Sequence, residues 1–190
     1  MKRQVIITFF LIATTFSAFA SDKVDEVLSK LSHAQEESDR VHIISFDLWN
    51  LDDPRIECEL VKRLSSETTQ EAYYVAQYLA KKGNKKALEI LNRNNSGYPI
   101  SSWQWSYTLK EFGRYKFVPA IPTLIESLDA ASLNVVNEAC KALQAFFPDS
   151  PATFQSLEEM KGYFMKRYNE SKQVAPPVCF YMQALAPICR

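Results

Sequence analysis

The chain has 190 residues, 47% hydrophobic and 23% charged, enough for one domain with a real core. Lys+Arg and Asp+Glu both number 22, and balanced charge argues against a dedicated nucleic-acid binder, which carries a basic excess. Glycine is scarce and apolar stripes at helical spacing are common, so the composition points to an all-α chain.

Lys2 and Arg3 form a short positive start, followed by the apolar run Val5 to Phe16. Ser17-Ala18-Phe19-Ala20 ends in a small-x-small pattern, so residues 1–20 read as a signal peptide cut after Ala20. The run is short of the roughly 20 apolar residues that span a bilayer. Without Lys2 and Arg3 the chain keeps 20 basic and 22 acidic residues, a charge of −2. The expectation is a periplasmic or secreted protein with no membrane insertion after cleavage.

Residues 21–52 read as an N-terminal helical cap. Val24, Val27, Leu28 and Leu31 share one helical face over Ser21 to Ser32. Gln35 to Arg40 reads as a charged connector. Val41 to Trp49 reads as a second helix, although its apolar run would also suit a buried strand. Asp53 suits an N-cap and Pro54 the first helical position.

Residues 53–147 repeat one pattern three times. Helices are expected over Pro54–Leu64 and Thr69–Lys82, over Lys85–Arg93 and Ser102–Phe112, and over Val118–Leu128 and Leu133–Phe147. Val136, Ala139, Cys140, Leu143 and Phe147 set the apolar face of the last. Gly83 and Gly113 each follow a second helix as a C′ residue would. Leu79 to Gly83 then aligns with Leu109 to Gly113 at an offset of 30, and Leu109 aligns with Leu143 at 34.

Ala120-Ile121-Pro122-Thr123-Leu124-Ile125 through Leu128-Asp129, with Val136, Ala139 and Ala142-Leu143, resembles a HEAT repeat of the short bacterial kind. The resemblance covers about half of the chain and departs from the family where Asn134 and Asn137 replace a charged residue early in the second helix. It implies a short right-handed α-solenoid of helical hairpins, with the second helices lining a concave surface.

Residues 148–190 close the chain. Ala152 to Ser171 reads as a capping helix with Phe154, Leu157, Met160, Phe164 and Tyr168 along one side, and a proline-rich tail follows. Of the four cysteines, Cys58 and Cys140 sit a whole unit apart, and helix layers spaced about 8–10 Å exceed a disulfide's reach of about 7 Å. Cys179–Cys189 is the preferred bridge, and Cys140 to a tail cysteine is the next.

No nucleophile elbow, phosphate loop or zinc spacing occurs, so no cofactor, metal or catalytic residue is assigned. Asp47, Asp52, Asp53 and Glu57 form an acidic cluster that reads either as a ligand or enzyme site or as a solvated helix start. The aromatics carry more information. In the repeat frame Trp105 falls inward, while Tyr73 and Gln77, Trp103 and Tyr107, and Asn137 and Lys141 fall together on an outer face. Either these residues anchor a partner, as Tyr and Trp often do, or the rings pack between units. The expected function is an exported, non-catalytic repeat protein binding another protein through that face. A periplasmic inhibitor or immunity-type protein is one version, and an enzyme or ligand-binding protein using the Asp52 cluster is the other class.

Overall fold

The computed structural model describes residues 22–174, and every regular element among them is helical. The signal segment and the cysteines Cys179 and Cys189 lie outside the described residues. The chain divides into two compact units, at Arg63 and Leu64.

The first unit begins with helix α1, residues 22–33, which buries Val24, Val27 and Leu31. Helix α2, Glu37–His42, occupies part of the stretch expected to be a connector. It runs directly into a π-helical turn, Ile43–Asp47, closed by the Leu48 N–H donating to the Ile43 carbonyl at 2.9 Å. The ambiguity between helix and strand is thereby settled by spacing. Ile43, Ile44 and Leu48 are buried while Phe46 is exposed, and a five-residue return suits a π turn. Helix α3, Pro54–Arg63, buries Ile56 and Leu60. Its start is as expected: Asp53 Oδ1 accepts from the Arg55 N–H at 2.9 Å.

In the second unit, α4 (Gln70–Lys81) is capped by Thr69, whose side chain accepts from the Ala72 N–H. It ends in a Schellman motif. Gly83 sits at φ +82°, its N–H donates to Ala80, and the Asn84 N–H donates to Leu79. Asn84 then caps α5 (Lys85–Arg93), accepting from the Ala87 N–H at 3.1 Å. Helix α6 (Ser102–Arg114) opens on a capping box between Ser101 and Gln104.

The end of α6 corrects the sequence reading. The helix does not stop before Gly113 but runs through it. Lys116, at φ 47°, takes the left-handed position, with the Phe117 N–H donating to the Phe112 carbonyl at 3.0 Å. The two Schellman positions, Gly83 and Lys116, are therefore 33 residues apart rather than 30.

The expected helix Val118–Leu128 is three pieces: a 3-10 turn Val118–Ala120, α7 (Ile121–Glu126) and a 3-10 turn Ser127–Asp129. Pro119 and Pro122 account for the break at its start, since neither supplies an N–H to a continuous ladder. Helix α8 (Leu133–Phe146) buries Val135, Ala139, Ala142 and Leu143. Its inner face is thus turned from the expected one, leaving Val136 and Cys140 only half-buried. Helix α9 (Leu157–Val174) starts later than expected, with the Glu159 N–H donating to Ser156 Oγ at 3.1 Å. Of its expected stripe only Phe164 is fully buried, packed near Phe147 and Phe154.

Within this unit α6 packs between α4 and α8. On the other side, Asn92 of α5 reaches the next helix start, donating to the Pro119 carbonyl and accepting from Thr123 Oγ1. Helix α9 packs on α7 and is pinned by Lys161 to Asp129 at 2.5 Å and Arg167 to Asp149 at 2.6 Å.

Candidate functional site

The line of contact between α6 and α8 leaves an open groove in the second unit. Its upper end is aromatic. Trp103 is 57% exposed and Tyr107 39% exposed. The two are one helical turn apart, and their rings meet edge to face, with centroids 4.9 Å apart at 89°. Ser106 Oγ donates to the Trp103 carbonyl at 2.6 Å, bonding the helix's first turn to its second. Asn134, Asn137, Glu138 and Lys141 of α8 face these rings across a cavity of about 290 Å³. A second cavity, about 410 Å³, continues the groove past Lys110 and Arg114 to a floor of Gly113, Ala142 and Ala145. The floor is narrow because Gly113 has no side chain: an added Cβ would lie 2.7 Å from Ala142 Cα.

Four of the six residues expected to face a partner therefore meet in one place: Trp103, Tyr107, Asn137 and Lys141. The other two do not. Tyr73 is 1% and Gln77 3% exposed, so the expected outward placement of this pair is corrected. Both belong to a polar seam between α4 and α6. The Tyr73 hydroxyl donates to the Gln104 carbonyl at 2.7 Å, and Thr108 Oγ1 donates to Gln77 Oε1 at 2.6 Å. Burial pushes the Tyr73 phenol well above its usual pKa. Gln104 also donates to the Tyr74 hydroxyl. Polar groups removed from water need such partners, and this seam supplies them. The physical reason for the misplacement is the three-residue slip. At the structural offset, Trp103 and Tyr107 correspond to Gln70, which is exposed, and Tyr74, which is half-buried. Trp105, expected inward, is half-buried with its ring edge-on to Phe112 at 6.2 Å.

Sequence reasoning missed Lys110, Arg114, Asn134 and Glu138. The signal was present. Lys110 and Arg114 continue the Trp103–Tyr107 face at i+7 and i+11, and Asn134 precedes Asn137 by three. The groove's cations are Lys110, Arg114 and Lys141, and its lining carboxylate is the half-buried Glu138, which pairs with Lys141 at 2.6 Å. Arg114 is 3.6 Å from Glu111, a buried side chain whose Oε2 has no hydrogen-bond partner among the described residues. Burial raises the Glu111 pKa, with Arg114 and the nearby Lys110 and Lys81 pulling the other way.

The acidic cluster of the first unit is differently arranged. Asp53 receives the Arg55 guanidinium, whose hydrogen bonds hold its carboxyl below the ordinary range. Arg55 also pairs with Asp25 at 2.5 Å. No group of three or more metal-ligating side chains gathers among the described residues. Cys140 is a free thiol and half-buried, whereas Cys58 is not free. No described helix is long and apolar enough to cross a membrane.

Fold and groove together define an all-helical protein with an exposed aromatic and basic cleft. No family model matches the chain, and comparison with curated proteins and with solved structures finds no match.

Proposed function

We propose that this chain is an exported, non-catalytic helical-repeat protein that docks another protein along the outer face of α6 and α8. One observation carries the reading: Trp103 and Tyr107 stand in contact with each other, exposed, at the mouth of a groove. Large aromatic side chains held rigid in a cleft are the commonest anchors of protein interfaces. Leaving such rings in water forgoes the stabilisation of burying them, about 1.5–3 kcal/mol for a large apolar side chain. Support for a short HEAT-like solenoid comes from the order α4, α6, α8 of neighbouring second helices, with α9 covering one end. Support for export comes from the leader pattern of residues 1–20.

The test is capture from an envelope extract with the purified protein as bait. Wild type should retain a partner that Trp103→Ala and Tyr107→Ala lose, with helical circular dichroism unchanged. Retention of the same partner by the double variant would remove the groove from the account.

A further inference from the structure

We propose that the α6–α8 groove takes an extended acidic peptide segment of its partner. One large apolar side chain seats in the Trp103–Tyr107 corner, and acidic side chains reach Lys110, Arg114 and Lys141. This rests on the docking reading above and adds the chemistry of the docked segment.

Charge is the first argument. The whole chain has equal numbers of acidic and basic residues, yet this groove gathers Lys110, Arg114 and Lys141 against two carboxylates, half-buried Glu138 beside Lys141 and buried Glu111 beside Arg114. Lys110 is exposed at the groove, its charge felt by buried Glu111, and it is open to an incoming carboxylate. Complementary potential of this kind steers encounter and sets specificity. Placement is the second argument. Lys110 and Arg114 stand on the α6 wall and Lys141 on the α8 wall. Successive side chains of an extended chain point in opposite directions, so consecutive acidic residues would meet the two walls alternately. From Trp103 to Arg114 the groove runs about 16 Å at the helical rise, the length of about five extended residues.

Ring geometry favours a peptide over a sugar. The two rings stand perpendicular, at 89°, and so form a corner rather than a flat platform. A branched or aromatic side chain fills a corner, whereas a sugar ring stacks on a plane. The amides of Asn134 and Asn137 face the same corner and can serve the backbone of a bound segment.

The test uses fluorescein-labelled synthetic peptides and anisotropy titration of the purified protein. The first probe has one leucine followed by Glu-Asp-Glu. The second replaces the acids by glutamines, the third replaces the leucine by glycine, and the fourth replaces the acids by lysines. The first should bind best and weaken as salt is added. Trp103→Ala should weaken it roughly thirtyfold, the size of a hot-spot loss. Lys110→Glu, an exposed change, should weaken it about tenfold while improving binding of the lysine probe. Equal binding of the first and second probes, equal binding of the first and third, or displacement by a chitin oligosaccharide would each overturn the proposal. So would no binding of the first probe at about 1 mM, the weak end of specific affinity. If Trp103→Ala abolishes partner capture while Lys110→Glu leaves it intact, the docking face stands and the acidic segment falls.

Discussion

Gly113 of α6 rests directly on Ala142 of α8. A Cβ placed on the glycine would stand 2.7 Å from both the Cα and the Cβ of the alanine. Real Cβ atoms do not approach so closely, and here the obstacle includes backbone rather than a side-chain tip that can swing away. Gly113→Ala should force the two helices apart. The intrinsic preference of a helix for alanine, up to about 1 kcal/mol, works against this cost, but overpacking of a tight contact costs about 1–3 kcal/mol. The net expectation is a loss of stability in urea unfolding, together with a wider groove and weaker partner capture. Unchanged stability would mean that the helices slide without cost.

The two Schellman positions should respond to glycine chemistry with opposite signs. Gly83 sits at φ +82° with the Tyr115 ring 2.7 Å from where a Cβ would be. Gly83→Ala meets both a left-handed backbone and an aromatic ring, and should destabilise by about 1–3 kcal/mol. Lys116 holds the equivalent conformation, φ 47°, with a side chain attached. Lys116→Gly should relieve about 1 kcal/mol of that strain, reduced by the extra freedom glycine gains when unfolded. Thermal denaturation should show the melting temperature falling for the first variant and rising slightly for the second.

Glu111 gives a pH-dependent prediction. Burial raises its folded-state pKa, so the folded protein holds the proton more tightly than the unfolded chain. Its contribution is therefore fully present below the unfolded value of about 4.3 and is lost as pH rises through the raised folded value. At neutral pH the buried carboxylate is a burden: Oε2 accepts no hydrogen bond among the described residues, and Arg114 at 3.6 Å offsets only part of the burial. Glu111→Gln should stabilise at pH 7 by about 1 kcal/mol and change little at pH 4. Urea midpoints at the two pH values measure the difference; equal effects at both would show that Arg114 fully compensates the charge.

Cys140 should react slowly with iodoacetamide in the native protein and quickly in urea. Its thiol is half-buried and free, and burial raises its pKa, so little thiolate is present at neutral pH. Mass spectrometry of alkylated peptides under non-reducing conditions reads this directly. Rapid native alkylation would show that α8 opens on the timescale of the reaction.

Several helix starts were legible because they depend on local chemistry, though α2 and the start of α9 were not. Asp53 before Pro54, and the apolar spacing of Val24, Val27 and Leu31, announce themselves within a few residues. Gly83 was legible as a left-handed terminator for the same reason. Gly113 was not, because a glycine serves equally as a terminator or as the floor of a tight helix contact, and only Ala142 decides between them. Lys116 carries no local sign that it adopts a positive φ. The resulting slip of three residues rotates a helix by about 60°, enough to put Tyr73 and Gln77 on the wrong side. Trp103 and Tyr107 stay on the outer face because they border the open groove rather than the α4–α6 seam that buries Tyr73 and Gln77.

Asn84 is the last residue of one motif and the first of another. Its backbone N–H closes the end of α4 on Leu79, and its side chain caps α5 at Ala87. One residue thus serves as a hinge pin shared by two helices, and the corner has no slack. A single inserted residue there would release both helices at once. The longer connections, between Arg93 and Ser102 and between Phe146 and Leu157, have no such shared residue. Length variation should be refused at Gly83–Asn84, while the longer connections are held by other means: Asn94 donates to the Ser66 carbonyl at 2.7 Å and Asp149 pairs with Arg167 at 2.6 Å.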